Sequence, residues 1–155
     1  MADWIKRVVE IESPVHFDEM ARRITTAVGV SRIGNRIRDA LESAAGHAAR
    51  SGEIQRRGKF FYWTAQNPVT VRNRRTLSST SRKLNLIAPE EIEVAIKNVV
   101  SNALGMYREH LPQETCKLFG FKFASENMRQ QVEKVIDKMI EQGQLSWKGN
   151  SLVSG

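Results

Sequence analysis

One cysteine, Cys116, occurs in 155 residues. A lone thiol closes no intramolecular disulfide and builds no cysteine zinc cage, so the expected setting is reducing and cytoplasmic, with packing alone holding the fold. Cys116 lies between Thr115 and Lys117 on a predicted helix and reads as a buried, inert thiol. Histidine is as sparse: His16, His47 and His110 fall in different predicted elements without ligand spacing, so no metal or other cofactor is expected. There is no apolar run of about 20 residues to span a bilayer, and Met-Ala-Asp-Trp-Ile-Lys-Arg at the start lacks the apolar stretch of a signal peptide. No membrane partner is expected. Gly58-Lys59 is not a phosphate loop, because it lacks the flanking glycines and the following Ser or Thr. The carboxylate pairs Asp18-Glu19 and Glu90-Glu91 open predicted helices, where the helix dipole accounts for them. With no catalytic constellation left, the chain is not expected to be an enzyme.

What the chain does contain is a correspondence with itself at an offset of 91 positions. Gly29, Gly52 and Gly58 fall on Gly120, Gly143 and Gly149, and Arg38 and Glu42 fall on Arg129 and Glu133. The apolar positions follow: Ile5 with Ile96, Val9 with Val100, Met20 with Leu111, Val28 with Phe119, Leu41 with Val132, Ala45 with Ile136, Ile54 with Leu145 and Phe61 with Leu152. So long a period with two units predicts two copies of one small domain, not a solenoid. The division expected is 1–63, a basic connector over 64–88, and 89–155.

Within each copy the pattern predicts helix, short strand, helix, helix and a two-stranded hairpin. Trp4, Ile5, Val8 and Val9 recur at helical spacing, as do Ile92, Ala95, Ile96, Val99 and Val100. Ser13-Pro14-Val15-His16 and Gly105-Met106-Tyr107 leave room for one extended segment. Second helices are expected over 18–28, with Met20, Ile24, Ala27 and Val28 inward, and over 112–119. Gly29 and Gly120 would stop them. Third helices are expected from Arg32 to Arg50, with Ile33 and Ile37 inward, and from Ser125 to Gln142. Hairpins turning at Arg57-Gly58 and Lys148-Gly149 close the copies. The class is mainly α with small β wings, in the order of a winged helix-turn-helix. Alternation in the wing should bury at least two of Phe60, Phe61, Tyr62 and Trp63.

Charge separates the two copies. Residues 1–69 carry 11 basic and 8 acidic groups, 70–89 carry 5 and none, and 90–155 carry 8 and 9, for a net charge of +7. A polyanion such as DNA is the partner this suggests. A helix-turn-helix meets nucleic acid at the opening of its third helix, and the wing grips the neighbouring backbone. Those positions hold Arg32, Asn35 and Arg36, then Arg56, Arg57 and Lys59. The connector adds Arg72, Arg74 and Arg75 as an arm. Asp39 and Glu42 on the outward face of the third helix argue against its deep insertion in a groove. The near-neutral second copy suits packing or docking better.

Ser13-Pro14-Val15-His16, Glu19-Met20-Ala21-Arg22-Arg23-Ile24, Gly29-Val30-Ser31-Arg32 and Gly52-Glu53-Ile54 resemble an uncharacterised domain family, as do Arg82-Lys83-Leu84 and the stretch from Ile87 to Ile92. That family stands at the C-terminal end of large bacterial superfamily I DNA helicase-like proteins. The resemblance implies a non-catalytic, DNA-binding tail of a helicase-related polypeptide, with the ATPase on other sequence. No catalytic residue comes with it. The alternative expectation is a protein docking or dimerisation module of the same polypeptide, a role compatible with a homodimer.

Overall fold

The computed structural model describes residues 1–65 and 68–155; Asn67, which the sequence pairs with Pro68 in a turn, lies outside the described residues. Two units divide the chain: Met1–Pro68 with Leu86–Ala88, and Val69–Asn85 with Pro89–Gly155.

The first unit runs α1 (Ala2–Glu12), β1 (Val15–His16), α2 (Phe17–Ala27), α3 (Asn35–Arg50), β2 (Ile54–Arg57) and β3 (Phe60–Trp63). Each helix puts one apolar stripe inward: Ile5 and Val9 from α1, Met20, Ala21 and Ile24 from α2, Leu41, Ala45 and Ala48 from α3. Val15, Phe17, Ile54 and Phe61 complete this core. β3 is the central strand, antiparallel to β1 through Val15↔Phe61 and to β2 through Arg57↔Phe60. The hairpin loop is therefore Gly58-Lys59, one residue beyond the expected turn. Gly58 takes φ 61° at the first loop position, the arrangement of a type II′ turn.

The second unit runs α4 (Pro89–Asn102), β4 (Met106–Tyr107), α5 (Leu111–Leu118), α6 (Glu126–Glu141), β5 (Leu145–Lys148) and β6 (Ser151–Ser154). Short 3-10 turns at Leu84–Leu86 and Arg108–His110 lead into α4 and α5. Its sheet has the order β4-β6-β5, matching β1-β3-β2 in the first. The bounds of α6, β4, β5 and β6 lie 91 positions beyond those of α3, β1, β2 and β3. Ile96, Val100, Leu111, Val132, Ile136, Leu145 and Leu152 are all buried, as are the first-unit residues they correspond to. The architecture is mainly helical with small antiparallel wings.

Several expectations fail in detail. Helix α3 begins at Asn35, three residues later than expected, because Gly34 is in extended conformation at the helix cap. Ile33 is consequently exposed, outside the helix whose stripe it was expected to continue. Val28 caps α2 and is 57% exposed, and Trp4 on α1 is 49% exposed. Two of the four wing aromatics are buried, as expected, but not by alternation: Phe61 and Tyr62 are adjacent, because the central strand is covered on both faces.

The connector departs furthest from expectation. Val69–Asn85 folds as part of the second unit. Arg74 N–H donates to the Phe119 carbonyl at 2.8 Å, and Gln131 Nε2 donates to the Leu84 carbonyl at 3.0 Å. Phe119, at the position equivalent to exposed Val28, is thereby fully buried. Charge is redistributed in consequence: the second unit holds 13 basic and 9 acidic residues, net +4, against 11 and 8 in the first, net +3. The second unit is not near-neutral.

Candidate nucleic-acid interface

Most cations of the first unit have a carboxylate of their own. Arg7 pairs with Glu10, Lys6 with Glu53, Arg22 with Glu19, and Arg23 with Glu12. Arg38 Nη2 donates to Asp18 Oδ1 at 2.8 Å, and its guanidinium lies 5.0 Å from the Phe17 ring centroid. Among the described residues, Arg32, Arg36, Arg50 and Lys59 enter no ion pair. Three of those four are residues the sequence singled out. Arg32 is exposed in the stretch before α3, and Asn35 and Arg36 are exposed in its first turn, where the helix leaves amides without intrahelical partners and Gly34 supplies no side-chain cap. Lys59 is exposed in the wing turn.

Arg56 behaves differently from its sequence role. Its Nη1 donates to Glu42 Oε2 at 2.6 Å, its Nε donates to the Gly58 carbonyl at 2.9 Å, and its guanidinium lies 5.0 Å from the Phe61 ring centroid. This cation ties the wing to α3 and compensates Glu42, so the repulsion that Glu42 would offer a phosphate is reduced at its source. Arg57 stacks on Tyr62 with its guanidinium 3.7 Å from the ring centroid.

His16 links wing and helices. Its Nδ1 accepts from the Asp18 backbone N–H at 3.0 Å as the cap of α2, and its ring meets Phe60 edge-on at 5.1 Å. Burial pushes its pKa down and Lys59 and Arg38 push the same way, outweighing Asp18. A neutral ring is what the cap needs, since a protonated Nδ1 cannot accept.

Arg74 is a correction. It is 7% exposed and forms a two-pronged ion pair with Glu91, with Nη1 to Oε1 and Nη2 to Oε2 both at 2.8 Å. Glu91 has no exposure and also accepts from the Arg72 N–H at 2.9 Å. It stands in the first turn of α4, as the dipole reading required, yet its main partner is the connector. Arg72 is half-buried, and its carbonyl accepts from Arg74 Nη1 at 2.8 Å. Of the expected connector arm, Arg75 alone is an exposed arginine.

Cys116 is fully buried in α5, and burial raises its thiol to about 11. It is inert as a nucleophile at neutral pH. Sequence reasoning missed Arg38, Arg74 and Glu91 as one half each of structural pairs. The signal for Arg38 was weak but present, since Asp18 at the start of α2 calls for a cation nearby.

The fold thus defined is a mainly α chain with two small three-stranded wings. A family model described as a protein of unknown function (DUF3320) matches residues 1–39. The match takes in Ser13–His16, Glu19–Ile24 and Gly29–Arg32 and ends within the second turn of α3. No curated protein and no solved structure matches the chain.

Proposed function

We propose that this chain is a non-catalytic DNA-binding accessory module of a DNA helicase-related protein, holding the nucleic-acid backbone through its first unit. The observation that carries the reading is selective pairing: carboxylates are used on most other cations of the first unit, while Arg32, Arg36 and Lys59, with Arg50 at the far end of α3, stay exposed without one. The helicase setting rests on the resemblance of the quoted segments. Contacts of this kind position a duplex without reading its sequence.

Replacing Arg32, Arg36 and Lys59 together by Ala should lower affinity for duplex DNA at least tenfold at low salt, by about 1.4 kcal/mol or more over three phosphate contacts. Unchanged affinity in an anisotropy titration would remove the first unit from the account. Arg56 is left out because its loss would also free the wing from Glu42.

A second reading, a docking or dimerisation module, is favoured by one feature of the first unit. Met1, Trp4, Ile24, Val28, Val30 and Ile37 line an open apolar groove. The equivalent face of the second unit is covered by the connector. A stable dimer in light scattering, lost in Trp4→Ser with no change in DNA affinity, would favour it.

A further inference from the structure

The turn between α5 and α6 forms, with the connector, a cleft whose charged lining residues are all cations: Arg75, Arg82, Lys117 and Lys122. Two of them are held in place. Arg82 Nη1 donates to the Arg75 carbonyl at 3.0 Å, a partner that carries no net charge, so the guanidinium charge is uncompensated. Lys117 Nζ lies 2.9 Å from Glu114 Oε1 at the surface. Arg75 and Lys122 are exposed and enter no ion pair among the described residues. Gly120 lets the connector close against this turn: at φ 95°, a Cβ there would lie 2.6 Å from the Arg75 nitrogen.

At the same cleft stands Phe123, 80% exposed. One exposed aromatic alone needs no explanation. This one is fixed from both sides. Gln113 Nε2 donates to the Lys122 carbonyl at 2.9 Å, and Gln113 Oε1 accepts from the Ala124 N–H at 2.9 Å. The side-chain amide therefore clamps the two residues that flank the ring. An exposed ring on a backbone held at both flanking residues, beside cations of which Arg75, Arg82 and Lys122 carry no countercharge, matches what a single strand offers, an unstacked base next to its own phosphate. A duplex keeps its bases stacked inside and offers only the phosphate.

We infer that this cleft is a single-stranded nucleic-acid site, with Arg75, Arg82 and Lys122 on the phosphates and Phe123 stacked on a base. It lies wholly in the second unit and does not depend on the first-unit cations. Lys117 contributes long-range attraction, reduced by Glu114.

The test is fluorescence anisotropy of the full chain with a labelled oligo-dT of about 12 nucleotides and with a duplex of the same length. Phe123→Ala should weaken oligo-dT binding about tenfold and leave duplex binding within twofold. Arg75→Glu with Lys122→Glu should weaken oligo-dT binding further and flatten its salt dependence by about 0.7 per lost phosphate contact. Both side chains are exposed, and melting temperatures near that of the parent would show the fold retained. Full oligo-dT affinity in Phe123→Ala overturns the cleft. Loss in the Arg32, Arg36 and Lys59 variant with none in Phe123→Ala overturns the cleft and leaves the first-unit reading standing. The opposite pattern removes the first unit and keeps the cleft. No binding of either oligonucleotide at low salt sinks both.

Discussion

Glu91 and Arg74 show how a single pair decides where a segment belongs. A carboxylate with no exposure is tolerable only when its oxygens are met, and here two guanidinium nitrogens and one backbone N–H meet them. Glu91→Gln should destabilise the chain by about 3–5 kcal/mol, read by chemical denaturation, because it leaves Arg74 buried without its countercharge. Arg74→Met combined with Glu91→Leu should recover most of that loss. An unchanged midpoint for Glu91→Gln would contradict the assignment. His16 makes a prediction of opposite chemical kind. Its pKa is lowered in the folded chain, so as pH falls below about 6.5 the unfolded chain takes up a proton first and stability drops. Above that value its contribution is constant. Asp18, Lys59 and Arg38 are the charged groups that act on it. His16→Asn keeps a capping oxygen and removes the titration, so its melting temperature should fall less between pH 7.5 and pH 5.5 than that of the parent. Parallel melting curves for the two would contradict this reading.

At the scale of elements, helices and wings were legible because period and glycine placement agree. Amphipathic stripes gave six helices, and Gly52 and Gly143 marked the starts of both hairpins. The opening of α3 was not legible. Ile33 is spaced from Ile37 as a helix requires, and nothing in the pattern says that Gly34 breaks it. The matching cap in the second unit is Ser125, whose hydroxyl accepts from the Met128 N–H at 3.3 Å, and there the boundary was found within one residue. The connector was unreadable for a different reason: its anchors, Glu91 and Phe119, are remote in sequence, and arginine is seldom buried. The glycines after α2 and α5 make a paired test. Both have positive φ, 77° at Gly29 and 95° at Gly120, but only Gly120 has backbone pressed against it. Gly29→Ala should cost about 1–2 kcal/mol from left-handed strain alone. Gly120→Ala should cost clearly more, because the connector must also shift. Equal costs by thermal denaturation would show that the connector does not bear on this turn.

For the whole molecule, net charge predicted a polyanionic partner but misplaced half of the surplus. Once Val69–Asn85 is counted with the second unit, neither unit is near-neutral, and each presents exposed residues at the opening of its third helix: Arg32 in one, Phe123 in the other. Of the nine residues nominated from sequence, Arg32, Asn35, Arg36, Arg57, Lys59 and Arg75 stand exposed, Arg57 stacked on Tyr62, while Arg56, though exposed, and buried Arg74 are engaged in pairs within the fold. Composition has no means of distinguishing a cation paired inside the molecule from one left for a partner. The central claim is that the unpaired cations meet phosphates. Its most direct test is the salt dependence of duplex binding by the full chain, measured by anisotropy from low to physiological salt. The expected result is a linear fall of log K with log salt, flattened by about 0.9 for each of Arg32, Arg36 and Lys59 that is removed. Binding that is indifferent to salt, or a slope unmoved by those substitutions, would contradict it.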